Sequence, residues 1–112
     1  MALPHLQPGQ PTDVIPFGAG VVDQKTTALF KSRDLEVIRL VLQAGQSLPP
    51  HAVDGDITIQ CIEGRLEIAL PDDRVVLDAN QIIFLDGKQQ HGVLALQPSS
   101  ALVTIALLAK SS

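Results

Sequence analysis

The sequence is poor in aromatic and basic residues. It has three phenylalanines and neither tryptophan nor tyrosine, so the aromatic platforms on which single-stranded nucleic acids stack are nearly absent. The formal net charge is −4, and no basic stripe of the kind that nucleic-acid-binding domains carry is present. We therefore expect no nucleic-acid partner.

Cysteine and long apolar runs are also scarce. Cys61 is the only cysteine, so no internal disulfide can form, and its place in an apolar run is typical of a small buried core residue. The longest apolar run, 101–109, has about half the residues of a membrane-spanning helix. The first five residues lack the basic and apolar regions of a signal peptide. These absences predict a cytoplasmic protein without a membrane partner.

The N-terminal residues 1–20 differ in composition from the rest of the chain. They contain four prolines and three glycines, which predicts an arm with little regular structure. We expect this arm to drape over the following domain or over a partner subunit. Residues 21–112 have the length and apolar content of one domain, since 46% of the whole chain is hydrophobic.

Short apolar runs separated by turn residues fill this domain. They predict about eight or nine antiparallel strands, at 21–22 with 26–30, 35–42, 57–62, 65–70, 75–77, 81–85, 91–96 and 101–109. Many short strands separated by regularly spaced turns are typical of an all-β sandwich, barrel or jelly roll. The last run is apolar on both faces, so we expect the arm or a subunit interface to cover its outer face.

Two histidines are the first candidates for chemistry. His51 and His91 each follow a loop that is rich in proline or glycine, and each enters an apolar run. In a jelly roll such positions can converge on one mouth of the barrel, and imidazole is a common ligand of transition metals. The sequence has no Ser-His-Asp arrangement, nucleophile elbow, phosphate-binding loop or dinucleotide fingerprint.

The spacing around these histidines resembles that of the cupins. The first cupin motif, G(X)5HXH(X)3–4E(X)6G, places its glycines at Gly45 and Gly64 and its first histidine at His51. Val53 and Ile57 stand where the motif has its second histidine and its glutamate. The second motif retains His91 by residue type, and fifteen residues separate the two motifs. The resemblance covers roughly residues 26–108 and implies a cupin-type double-stranded β-helix, or RmlC-like jelly-roll barrel, that forms a homodimer.

The resemblance implies a pocket at the barrel mouth, with His51 and His91 as metal ligands for Zn, Fe, Mn or Ni. Strand alternation adds Val53, Ile57, Ile59 and Cys61 to the inner face. It sends Asp54, Asp56, Thr58 and Gln60 outward, unless a bulge at Gly55 re-aims one aspartate, or Gln60, as a further ligand. Arg39 lies on an otherwise apolar face of 35–41. It either lines the pocket, where it would bind an anionic group, or reaches the rim and pairs with an Asp or Glu.

Three functions are compatible with this incomplete motif. The first is a protein that binds a small molecule, and a divalent metal if one is held by His51 and His91. The second is a metal-dependent enzyme of dioxygenase or isomerase type, in which water or substrate completes the metal shell. The third is a structural or partner-binding domain with a vestigial site. Aliphatic residues at 53 and 57 favour a neutral or partly apolar ligand.

Overall fold

Alternating apolar residues make nine strands in residues 5–108, which are the residues that the computed structural model describes. A short 3₁₀ helix at Gly18–Asp23 precedes the first strand. The strands are β1 (Thr27–Lys31), β2 (Leu35–Leu42), β3 (Ser47–His51), β4 (Ile57–Glu63), β5 (Arg65–Ala69), β6 (Arg74–Asp78), β7 (Ile82–Leu85), β8 (His91–Ala95) and β9 (Ser99–Ala106).

The strands form two sheets. The first has five strands in the order β1-β2-β9-β4-β7, and the second has four in the order β3-β8-β5-β6. All paired neighbours are antiparallel. The predicted all-β jelly roll of eight or nine strands is thus confirmed.

The core lies between the sheets and is built from aliphatic side chains. Strand β4 follows strict alternation, because Ile57, Ile59 and Cys61 are buried while Thr58 and Gln60 are only partly buried. No bulge re-aims this strand at its start, so the alternation expected from the sequence holds. The buried cluster also contains Leu40, Leu42, Leu66, Ile68, Leu77, Leu85, Val93, Ala95 and Ala101.

Two local predictions were wrong. Val21 and Val22 belong to the 3₁₀ helix and not to a strand, because the N–H of Gln24 turns back to the carbonyl of Val21. Strand β3 was not predicted, since Pro49 and Pro50 read as a break. It forms because β3 is an edge strand, where a residue without an N–H donor is tolerated.

The described part of the arm lies against its own barrel. The N–H of Leu6 donates to the carbonyl of Leu29 at 2.8 Å, and the N–H groups of Phe17 and Gly18 both donate to the Glu63 carboxylate. Residues 1–4 of the predicted arm and residues 109–112 of the predicted domain lie outside the described residues. Within 5–108, no helix is long and apolar enough to cross a membrane.

Candidate functional site

Strand pairing brings the two candidate histidines side by side. His51 ends β3 and His91 begins β8, and the two residues are partners in the antiparallel register. Their ring centroids are 4.7 Å apart, with an angle of 49° between the ring planes. His91 is only 4% exposed, whereas His51 is exposed at the rim. The pair therefore has an inner and an outer imidazole.

Both imidazoles are oriented by the chain just before them. The Nδ1 of His51 lies 3.2 Å from the carbonyl oxygen of Pro49, and the Nδ1 of His91 lies 3.3 Å from that of Gln89. A carbonyl oxygen can only accept a hydrogen bond, so each contact requires a hydrogen on Nδ1. In the neutral ring, the lone pair is then on Nε2.

Burial makes His91 a weak base. Removal from water lowers the pKa of His91, and the nearby His51 lowers it further, although the Gln89 carbonyl opposes the shift. A buried imidazole with a lowered pKa is neutral at pH 7. His91 therefore presents an uncharged ring to the interior.

A cavity of about 270 Å³ opens beside this pair, between the two sheets. Its polar lining residues are His51, His91 and Thr26. The Thr26 hydroxyl already bonds both the N–H and the carbonyl of Val41. The rest of the lining is aliphatic and comprises Ile38, Leu40, Leu48, Ile57, Ile59, Val93, Val103 and Ile105.

Solved structures of similar fold were found across nearly the whole chain. An RmlC-like cupin protein from Desulfovibrio desulfuricans superposes with a TM-score of 0.73 at 24% identity, over 87% of this chain and 96% of that one. A cupin superfamily protein from Desulfitobacterium hafniense gives a TM-score of 0.76 at 14% identity, over 96% and 100%. The chain has the cupin fold.

A conserved protein of unknown function from Streptococcus pyogenes is similar to the same extent. It gives a TM-score of 0.76 at 18% identity and covers 98% of this chain and 100% of its own. No protein-family model matches the sequence, and no curated protein matches it significantly. The similarity thus establishes the cupin fold and leaves the activity open.

Two of the four aliphatic or cysteine residues predicted for the pocket line the cavity. Ile57, at the glutamate position of the motif, lines the cavity together with Ile59. Val53, at the second histidine position, packs against the core cluster but is not among the cavity-lining residues. Cys61 is completely buried, and its thiol contacts the carbonyls of Glu63 and Gly64 instead of the cavity.

Two further candidates lie on the wrong face of the sheet. Arg39 alternates with Ile38 and Leu40, which line the cavity, so its guanidinium points to the outer face of the five-stranded sheet. Gln60 lies on the outer face by the same alternation, next to inward Ile59. The proposed pocket roles of Arg39 and Gln60 are therefore incorrect.

Arg39 instead pairs with an acidic side chain, the alternative expected from the sequence, in an ionic cluster whose other members were not predicted. Its Nη2 donates to the carbonyl of Ile15 at 2.8 Å and to the Ser100 hydroxyl at 3.0 Å, and it lies 3.6 Å from the Glu63 carboxylate. The guanidinium also stacks 4.2 Å from the ring centroid of Phe17. This arm anchor, formed by Arg39, Glu63 and Ser100 with the backbone of 15–18, fixes the arm to the barrel.

The charge state of Glu63 follows from the same contacts. Burial raises the pKa of Glu63, but hydrogen bonds from Ser100, Phe17 and Gly18 and the charge of Arg39 outweigh it and hold the pKa below its usual range. The only sequence signal for this role is that Glu63 precedes the motif glycine, Gly64. The sequence marked Arg39 as a charge on an apolar face that could pair with an Asp or Glu, but it did not identify Glu63 as the partner.

The aspartates considered as extra ligands lie in the loop before β4. The Asp56 carboxylate accepts the N–H of Gly87 at 2.9 Å, and the N–H of Lys88 donates to the carbonyl of Val53 at 2.6 Å. These bonds tie the loop after His51 to the loop before His91. Asp56 thus acts in holding two loops together, and Asp54 is exposed.

The described residues do not complete a metal centre. Two imidazoles with Nδ1 bound to backbone carbonyls are arranged as metal-ligating histidines usually are. Catalytic zinc sites and the 2-His-1-carboxylate iron site nevertheless need a third protein ligand. Among residues 5–108, no three His, Cys, Asp or Glu side chains are grouped to hold a metal. No step of the proposed function is therefore assigned to a metal.

Proposed function

We propose that the protein binds a small, mostly apolar molecule in the cavity between the two sheets, in contact with His51 and His91. The observation that carries the proposal is the cavity of about 270 Å³, whose lining is aliphatic apart from Thr26 and the two histidines. Ligand sites of this type are largely apolar, with a few converging polar groups that set the orientation of the ligand.

The size of the cavity supports a compact ligand. A cavity of roughly 150 Å³ lined by Leu, Ile and Phe side chains stays dry and binds benzene. A larger cavity of the same lining can take a ring with a substituent or a short branched chain. A structural domain with a vestigial site would have the space beside the histidines filled by side chains. The open cavity therefore favours the binding function over the structural one.

The metal-dependent alternative has less support. In this alternative His51 and His91 hold a Zn, Fe, Mn or Ni ion, and solvent or substrate supplies the remaining metal ligands. The motif positions that would strengthen such a site carry Val53 and Ile57. Elemental analysis of protein purified without a histidine tag separates the two functions, because near-stoichiometric metal that is lost in His91→Ala would favour the enzyme.

The binding proposal is tested by filling the cavity. Val103 lines the cavity, whereas its neighbour Leu102 alternates to the outer face of the same strand. Small apolar molecules should raise the Tm of the wild type, since a ligand at 100 times its Kd adds about 2.7 kcal/mol to the free energy of unfolding. Val103→Phe should abolish the shift, and Leu102→Phe should keep it. An equal shift in both variants would contradict a site in the cavity.

The homodimer stays a prediction. Its support is the exposed apolar surface on the edge strand β7, where Ile82 and Phe84 are each 60% exposed. An edge strand with apolar side chains and unpaired backbone groups favours association. Light scattering coupled to size exclusion should give twice the chain mass, and Phe84→Lys should shift the protein toward monomer. A monomer at all accessible concentrations would overturn the prediction.

A further inference from the structure

The polar groups of the cavity differ in what they can still bond. Thr26 uses its one hydroxyl hydrogen on the carbonyl of Val41. The Nδ1 hydrogens of His51 and His91 are directed at the carbonyls of Pro49 and Gln89. Each neutral ring therefore has Nε2 left, which is a hydrogen-bond acceptor.

The cavity also lacks a fixed charge. Of the described residues that line it, none is Asp, Glu, Lys or Arg. Arg39 and Glu63 neutralise one another on the outer face of the sheet, and Asp56 is bonded to Gly87. A charged ligand would thus lose its hydration without gaining an ionic partner, which is unfavourable.

We propose that the cavity selects uncharged, mostly apolar molecules that carry a hydroxyl or N–H donor, and that Nε2 of His91 accepts this hydrogen bond. The inference rests on the proposed binding function and specifies its ligand class. His91 is the principal acceptor because it is the buried member of the pair. His51, at the rim, accepts a second donor or the same one from the entrance.

The exclusion of other ligands follows from the same geometry. A molecule with acceptors alone would bring its lone pairs toward the Nε2 lone pair of a buried ring, and a buried acceptor left without a partner weakens binding. A hydrocarbon of equal size would leave Nε2 unbonded as well. Sites built to hydrogen-bond a ligand hydroxyl reject the analogue that lacks it strongly.

Phenol and toluene test this selection, because a methyl group replaces the hydroxyl at nearly equal size. Hydrophobic burial alone would favour toluene, so a preference for phenol reports the hydrogen bond. We expect phenol to bind the wild type at least tenfold more tightly than toluene at pH 8, by calorimetry. Benzoate and the benzylammonium ion should bind more weakly than phenol.

Variants assign the preference to His91. His91→Leu keeps the wall apolar and should reverse the order, so that toluene binds more tightly than phenol. His5→Leu, in the exposed arm, should leave the order unchanged. If His91→Leu does not fold, the ratio of the phenol affinity to the toluene affinity of the wild type tests the proposed ligand class by itself.

Failure of the selection is distinct from failure of the binding function. Two results would overturn the ligand class: equal affinity for toluene and phenol, or tightest binding of benzoate or benzylammonium. If all of this binding is lost in Val103→Phe, the cavity is retained as the binding site. Absence of binding by all four probes would overturn the binding function and the ligand class together.

Discussion

His51 and His91 are cross-strand partners with ring centroids 4.7 Å apart, although they are forty positions apart in the chain. The two rings are close because β3 pairs with β8. Each ring is further oriented by a carbonyl two residues earlier, so orientation is local while proximity is a property of the fold. The two rings are thus held in place by the fold, and such preorganisation lowers the entropy cost of the proposed binding.

The lowered pKa of His91 makes stability depend on pH. The unfolded chain binds a proton near pH 6.5, whereas folded His91 does so only at lower pH. Its contribution is therefore fully present above about pH 6.5 and is lost as the pH falls toward the pKa of the folded state, by at most ~1.4 kcal/mol per pH unit. Urea denaturation between pH 8 and pH 5 measures this slope.

Variants separate His91 from the other histidines in that titration. His91→Gln should flatten the fall in the free energy of unfolding between pH 7 and pH 5. His5→Gln, in the exposed arm, is the control and should keep the wild-type profile. An unchanged slope in His91→Gln would contradict the burial of a neutral imidazole at this position.

The two motif glycines should respond differently to alanine. Gly45 and Gly64 both have positive φ, at 82° and 85°, which costs an L-residue about 1–2 kcal/mol. A Cβ at Gly45 would meet no atom within 4 Å, whereas at Gly64 it would overlap Ser99 and the carbonyl of Pro98. Gly45→Ala should lose about 1 kcal/mol in denaturant, and Gly64→Ala clearly more, by about a further 1–3 kcal/mol. Equal losses would contradict the close approach at Gly64.

The arm anchor should contribute far more than a surface ion pair. Glu63→Gln removes the charge from a pair whose side chains are 6% and 14% exposed, and breaking a buried pair costs about 3 kcal/mol or more. Asp78→Asn breaks the exposed pair with Arg65 and should cost under about 1 kcal/mol. Denaturant unfolding of the two variants gives the comparison.

The rate at which a protease cleaves the arm gives an independent measurement of how firmly the arm anchor holds it to the barrel. Phe17 is held by its N–H on Glu63 and by its ring against Arg39, so chymotrypsin should cleave after Phe17 faster in Glu63→Gln than in Asp78→Asn. Equal cleavage rates would show that other contacts hold the arm.

A single carboxylate in the cavity should create a metal site. Ile57 lines the cavity with both histidines and occupies the glutamate position of the motif. Ile57→Glu would supply a 2-His-1-carboxylate set, and we expect it to bind Zn²⁺ or Ni²⁺ at least tenfold more tightly than the wild type by calorimetry. Ile57→Gln, of the same size without the charge, is the control. Equal affinity in all three proteins would mean that position 57 does not reach the histidines' ligand positions.

The sequence predicted the fold and the inner face of β4 because these depend on local patterns. Strand alternation assigns Ile57, Ile59 and Cys61 to one face whatever the topology. The spacing of Gly45, His51, Gly64 and His91 resembles the cupin pattern, and the fold is that of a cupin. Strand β3 escaped prediction because tolerance of Pro49 and Pro50 depends on its edge position, which is a tertiary property.

The sequence was less informative about which candidates share a cavity. Arg39 was left either in the pocket or paired with an acidic side chain, because alternation defines two faces of β2 but does not say which one turns inward until the partner sheet is known. The arm anchor escaped notice for a related reason, since Arg39, Glu63 and Ser100 meet only when β2, β4 and β9 lie side by side. Cys61 was placed on the right face, but the cavity does not extend along β4 as far as this residue.

The protonation pattern of the two imidazoles tests the account most directly. Long-range ¹H–¹⁵N correlation spectra distinguish Nδ1–H from Nε2–H rings, with His51→Gln and His91→Gln providing the assignments. At pH 8 both rings should carry hydrogen on Nδ1, and added phenol should shift the Nε2 resonance of His91 while toluene leaves it nearly unmoved. Hydrogen on Nε2 of His91, or an Nε2 resonance that phenol does not move at saturation, would contradict the account.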